Sequence, residues 1–93
     1  MSMIETKTPD EIKDYTLDWT KDIGSDTIVT STWTVSPTGV AVTESSVAGT
    51  LATAWLGGGA ISQVYQIKNL IVTSGGRDLT KSFRLLVVGN NYL

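Results

Sequence analysis

The sequence predicts an all-β fold, an antiparallel β-sandwich of six to seven short strands with one short N-terminal helical turn. Three observations lead there. Threonine, present 14 times, outnumbers every other residue type, and nine Val and three Trp accompany it. Such β-branched and aromatic side chains suit a half-buried pleated surface. Apolar and polar residues alternate with a period of two in five segments. Turn residues interrupt the chain at roughly 8–12-residue spacing, the rhythm of a sandwich of two packed sheets.

Each element follows from local chemistry. Thr8-Pro9-Asp10-Glu11 reads as a helix start, with Thr8 as cap, Pro9 at the first helical position and Glu11 reaching back. No apolar stripe at 3.6 spacing follows, so a single turn is expected. From Tyr15 the period is two: Tyr15, Leu17 and Trp19 oppose Asp14, Thr16, Asp18 and Thr20, until Gly24-Ser25-Asp26 breaks the run. Residues 27–35 form the next strand, Val29, Trp33 and Val35 on one face and Thr30, Thr32 and Thr34 on the other. Ile28 breaks parity, which a bulge or an edge contact near the start would account for. Ser36-Pro37-Thr38-Gly39 is a turn by composition. Residues 40–43 make a short strand, 44–49 a polar connection, and 51–56 a strand around Trp55 that Gly57-Gly58-Gly59 ends.

The clearest hairpin pairs residues 64–73 with a run carrying Phe83, Leu85 and Val87, through Ser74-Gly75-Gly76-Arg77. The expected core is Trp19, Trp33, Trp55, Tyr65, Ile67, Phe83 and Leu85. Tyr65 opens the penultimate strand, where sandwiches hydrogen-bond a tyrosine hydroxyl back to the backbone. The expected organisation is an N-terminal arm over 1–8, one sandwich domain over 9–88 and a tail over 89–93.

Composition excludes several functions. Without His or Cys there is no imidazole or thiolate zinc site, no Cys nucleophile and no Ser-His-Asp triad. Nor is there a disulfide framework, so packing alone must hold the fold. A net charge of −2 and a pI near 4.8 argue against nucleic acid as a partner. The N-terminal segment lacks the apolar region of a secretory signal, and Leu85-Leu86-Val87-Val88 is far short of the roughly 20 apolar residues that span a bilayer. Synthesis in the cytoplasm and no membrane partner are the expectation.

The candidate chemistry dissolves on inspection. Asp10, Asp14, Asp18, Asp22 and Asp26 recur every four residues, but four residues along a strand span about 13 Å, too far to share an ion. Neither glycine run is followed by Lys-Ser/Thr or opens a helix, so neither is a phosphate loop. The tryptophans lie on the apolar phase of their segments and read as core rather than as a sugar platform. No catalytic, metal or cofactor residue is expected. What remains is charge asymmetry: residues 1–26 hold seven acids and three bases, residues 27–93 two acids and four bases. Asp14, Asp18 and Asp22 are thus candidate docking residues on an acidic region. Arg77, Lys81 and Arg84, with Lys68, are their counterparts on a basic one. Copies could meet head to tail through these regions, or the acids could seat on a basic ring.

Four segments carry a resemblance: Pro9-Asp10-Glu11 through Asp14-Tyr15-Thr16-Leu17-Asp18-Trp19; Asp26-Thr27-Ile28 through Ser31-Thr32-Trp33-Thr34-Val35; Trp55-Leu56-Gly57-Gly58-Gly59; and Tyr65 through Asn69 to Thr73-Ser74-Gly75-Gly76-Arg77. In this order and spacing they resemble a family of small tailed-bacteriophage proteins reading "PDE…DYxxDW", "DTIxxSTWxV", "WLxGG" and "YxxxNxxxTSxGR". The resemblance implies an Ig-like sandwich and a structural, non-enzymatic virion component, a fibre-to-tail adaptor first. It brings no catalytic residues and no cofactor. The partners it implies are other virion proteins (tail hub, fibre or spike, or capsid) in a multi-copy symmetric assembly, with the virion as location. A capsid decoration or head-fibre protein is the alternative, and a small carbohydrate-binding module a third. The chain departs from the family by adding Gly89-Asn90-Asn91-Tyr92-Leu93 after the last strand.

Overall fold

The structure, a computed structural model, describes residues 4–89. Residues 1–3 of the expected arm and 90–93 of the expected tail lie outside the described residues. Seven strands, β1 (Ile4–Lys7), β2 (Ile12–Asp18), β3 (Ile28–Ser36), β4 (Val40–Ala48), β5 (Leu51–Gly58), β6 (Val64–Thr73) and β7 (Asp78–Val87), form two sheets. One sheet has the order β1-β7-β6-β3, the other β2-β5-β4. This is the strand distribution of an Ig-like sandwich, with β3, β6 and β7 on one sheet and β2, β4 and β5 on the other. The first strand joins the larger sheet and runs parallel to β7, whereas every other pairing is antiparallel.

The inward phases meet in one core. Tyr15 and Leu17 on β2 are registered beside Ala54 and Ala52 on β5, so bulky side chains on the edge strand lean over small ones at the centre. Ile67 and Ile71 on β6 and Phe83, Leu85 and Val87 on β7 face them from the other sheet, all buried. The Tyr15 and Phe83 rings pack across the gap with centroids 5.5 Å apart. Burying each such side chain contributes roughly 1.5–3 kcal/mol.

Two buried polar groups tie the sheets together. Asn69 on β6 is sealed from solvent, yet its amide donates to Ser31 Oγ (2.8 Å) and the Thr32 carbonyl (3.2 Å) and its oxygen accepts from Trp19 Nε1 (3.1 Å). Lys7 on β1 is 1% exposed, and its ammonium donates to the carbonyls of Thr8 and, across the sandwich, Gly58. Tyr65 behaves as expected: its hydroxyl accepts from the Ala60 N–H at 2.9 Å, five residues upstream. Of the two readings of Ile28, a bulge is present, as a register shift between Ile28 and Thr30; it buries Ile28 and turns Val29 outward.

The structure corrects other expectations. Thr8-Pro9-Asp10-Glu11 is a turn and not the helical one. Glu11 N–H donates to the Thr8 carbonyl and Thr8 N–H to Glu11 Oε1, but the chain leaves directly into β2. The one α-helical turn among the described residues, α1 (Thr20–Ile23), follows β2; the Asp18 carboxylate starts it by accepting the Thr20 N–H at 2.9 Å. Residues 4–7, read as part of an arm, form β1. Residues 44–48, read as a connection, continue β4 beyond a register shift between Val42 and Glu44 and pair with β5. Trp33 and Trp55, expected in the core, are only half-buried. Trp55 lies on the opposite phase to Ala52, Ala54 and Leu56, so it faces outward.

Candidate docking surface

The outer face of the three-stranded sheet is acidic. In register across it lie Asp14 of β2, Trp55 of β5 and Glu44 of β4, placing one half-buried indole between two carboxylates. Directly opposed side chains on neighbouring strands sit about 4.5–5.5 Å apart at Cβ. Exposed Ile12 and Asp18 belong to the same phase of β2. Among the described residues no Lys or Arg shares this phase of β2, β4 or β5. The outer face of the four-stranded sheet differs. It carries Lys68 and Arg84 against Asp78, with exposed Ile4, Val64 and Leu70 between them.

The structure brings together three of the six docking candidates. Lys81 Nζ forms an ion pair with Asp22 at 2.6 Å, donates to the Asp18 carbonyl at 3.3 Å and stands 4.6 Å from the Trp19 ring centroid. Asp18, Asp22 and Lys81 line, with Lys21, an open depression of about 590 Å³. The Thr20 hydroxyl and N–H hold the Asp18 carboxyl below the usual carboxylate range. Asp14 stands apart on its sheet face. Arg77 lies in the β6–β7 turn and Arg84 near the far end of β7, about 20 Å along the strand, so the two form no single basic patch. A second groove, about 190 Å³, runs between β1 and β2 beside Glu5, Asp14 and Tyr15. It is smaller than the roughly 300 Å³ at which ligand pockets begin.

The five evenly spaced aspartates separate into a turn, β2, α1 and the loop before β3. Among the described residues no group of three acids is placed to hold a metal ion. Sequence reasoning missed Trp55 and Glu44 as surface residues. The available signal was parity: Ala52, Ala54 and Leu56 alternate as strictly as the run containing Trp55.

The residues behind the resemblance meet one another. Trp19 bonds to Asn69, and Ser31 bonds to Asn69. Thr73 Oγ1 donates to Asp26 at 3.0 Å and accepts from the Arg77 N–H, while Thr27 and Ser74 exchange two hydrogen bonds. Gly75 leaves room beside them, because a Cβ there would stand 2.5 Å from Asp26 Oδ2 and push the carboxylate off Thr73. These motif residues build the scaffold, while Asp14, Asp18 and Trp55 of the same motifs lie on the outer face of the three-stranded sheet. No curated protein matches the chain. The family described as podophage GP4 fibre-tail adaptor protein gp77 matches residues 7–86, nearly all of the sandwich. With two-sheet architecture, motif contacts and that match in agreement, the chain belongs to this family of phage structural adaptors.

Proposed function

We propose that this chain is a non-enzymatic virion part that seats a fibre or spike on the phage tail, made in the bacterial cytoplasm and present in several copies per particle. The match to a fibre-tail adaptor family over residues 7–86 carries this reading. The geometry supports it: two broad outer faces of unlike charge suit protein contacts. The experiment is to disrupt the gene in its phage and image the particles. Tails without fibres are expected; fully fibred tails refute the role.

Within that role the acidic face seats on a basic partner surface. Asp14, Asp18 and Glu44 carry the contact, with Arg84 and Lys68 serving the opposite face and Arg77 the turn. Asp22 and Lys81 already neutralise one another, so they shape the depression rather than attract a partner. Rim charges of this kind guide register and association rate more than affinity, and salt screens them. Replacing Asp14, Asp18 and Glu44 by their amides should lower incorporation into particles, more at low than at moderate salt. Unchanged incorporation of the folded variant at both salts refutes the docking role.

A further inference from the structure

Charge is sparse on one side of the sandwich. Between Asp26 and Lys68 the only charged residue is Glu44. Tyr15 and Lys13 of β2 both reach the Thr6 carbonyl of β1, so β1 and β2 form one side and the edges β3 and β4 the other. Three of the four edges carry a device against pairing. β1 is four residues long and holds Glu5 and Lys7, β2 holds Lys13, Asp14 and Asp18, and β4 is interrupted by its register shift beside Glu44. Short length, charge and irregularity are the usual means of blunting an edge. β3 has none of them beyond its start: from Thr30 to Ser36 it pairs with β6 without a break and carries no charge and no proline. Halfway along stands Trp33, half-buried, with its Nε1 enclosed and lacking a hydrogen-bond partner among the described residues. The Asn69 amide holds Ser31 and Thr32 from beneath and keeps this edge rigid.

We infer that β3 is a strand-addition edge for a second copy of this chain, the two β3 strands pairing antiparallel about a two-fold axis at Trp33. Neutrality selects this occupant. An isologous contact sets a patch against itself, so any net charge would oppose its like. A foreign strand would gain no charge register from this edge, and charge is what normally selects a partner. Centring on Trp33 sets Thr32 against Thr34, Ser31 against Val35 and Thr30 against Ser36. Inward residues then meet inward residues, and each face of the joined sheet stays continuous. Cross-strand threonine pairs are favourable, and the chain already contains one, Thr16 with Thr53, hydroxyls 2.8 Å apart. The two Trp33 side chains would cover one another, and two four-stranded sheets would become one of eight.

The test is the solution mass of the purified full chain over a concentration series, by light scattering or native mass spectrometry. Dimerisation gives twice the 10.0 kDa chain mass. Thr32 and Thr34 face solvent, so the Thr32→Lys/Thr34→Lys variant should keep the strand circular dichroism yet halve the mass. Mixing it with Thr32→Glu/Thr34→Glu should restore the doubled mass as a heterodimer. A wild type at 10.0 kDa throughout, a doubled mass in the Lys variant, or a mixture that fails to recombine overturns the inference. The adaptor reading survives each of those results, because it is tested on particles.

Discussion

The Trp19 indole donates its N–H to the Asn69 side-chain oxygen across the sandwich at 3.1 Å, linking residues fifty positions apart. Both are fully enclosed, and the Asn69 amide is used on the other side by Ser31 and Thr32. One side chain thus fixes the exit of β2 against the β6–β3 pair. Asn69→Leu would leave the Trp19 N–H, Ser31 Oγ and Thr32 carbonyl without this partner. A loss of about 2 kcal/mol is expected, the cost of stranding buried polar groups. Denaturant unfolding of Asn69→Leu, Trp19→Phe and the double variant measures it. Strict additivity would show that the bond contributes nothing.

Gly59 is a close-packed corner. Its φ of +102° disfavours a side chain, and a Cβ there would stand 2.6 Å from Val87 Cγ2 and 3.1 Å from Val40 Cγ2. Gly59→Ala should therefore cost about 2–5 kcal/mol, combining backbone strain with overpacking. Gly57→Ala is the comparison: its Cβ meets exposed Ile12, which can move aside, and a change of about 1 kcal/mol or less is expected. Equal midpoints for the two variants would contradict this account.

How much of this was legible depends on which residues carry the signal. The β6–β7 hairpin, the bulge after Ile28 and the Tyr65 corner follow from alternation, parity and turn chemistry, which are local. β1 was not legible, because four residues with two charges resemble an arm, and only the distant Gly58 carbonyl explains why Lys7 lies buried. The second half of β4 hid for a related reason. An exposed edge strand of Glu, Ser and Ser reads as a loop until its register with β5 is known. Trp55 misled because both phases of residues 51–56 carry apolar residues, and it is Ala52 and Ala54, not the indole, that stand beside Tyr15 and Leu17 on the inward face. The docking candidates were legible as charges. Their separation into an internal Asp22–Lys81 pair and an outward Asp14 is a tertiary fact.

Lys7 makes a third prediction. Lys7→Ala removes the donor to Thr8 and Gly58 and leaves a cavity under β1, so a loss of about 2–4 kcal/mol is expected. Lys7→Met keeps the volume but also strands the Thr8 and Gly58 carbonyls, so it should lose less than Lys7→Ala, about 1–2 kcal/mol. Amide exchange should locate the Ala effect in residues 4–7 and their β7 partners first. Uniform loss of protection would indicate that β1 is integral to global stability.

The final prediction concerns alkaline unfolding. Burial pushes the Tyr15 hydroxyl up to about 12, with the Glu11, Glu5 and Asp14 charges acting in the same direction, and the hydroxyl donates to the Thr6 carbonyl at 2.9 Å. A folded-state value above the unfolded one means that the folded protein holds this proton more tightly. The associated stability is complete below pH 10 and disappears as pH rises from 10 to 12. Two units correspond to about 2–3 kcal/mol. Lys7 acts oppositely: burial holds its ammonium below 10.5, so its effect raises stability with pH up to that value and is flat above it. Lys7 therefore adds nothing to a decline between pH 10.5 and 12, whereas Tyr15 contributes to it. Tyr15→Phe should lose about 1 kcal/mol at neutral pH through the missing hydrogen bond and show a shallower decline above pH 10.5. If the variant and the wild type fall in parallel between pH 10.5 and 12, Tyr15 is not the group that titrates.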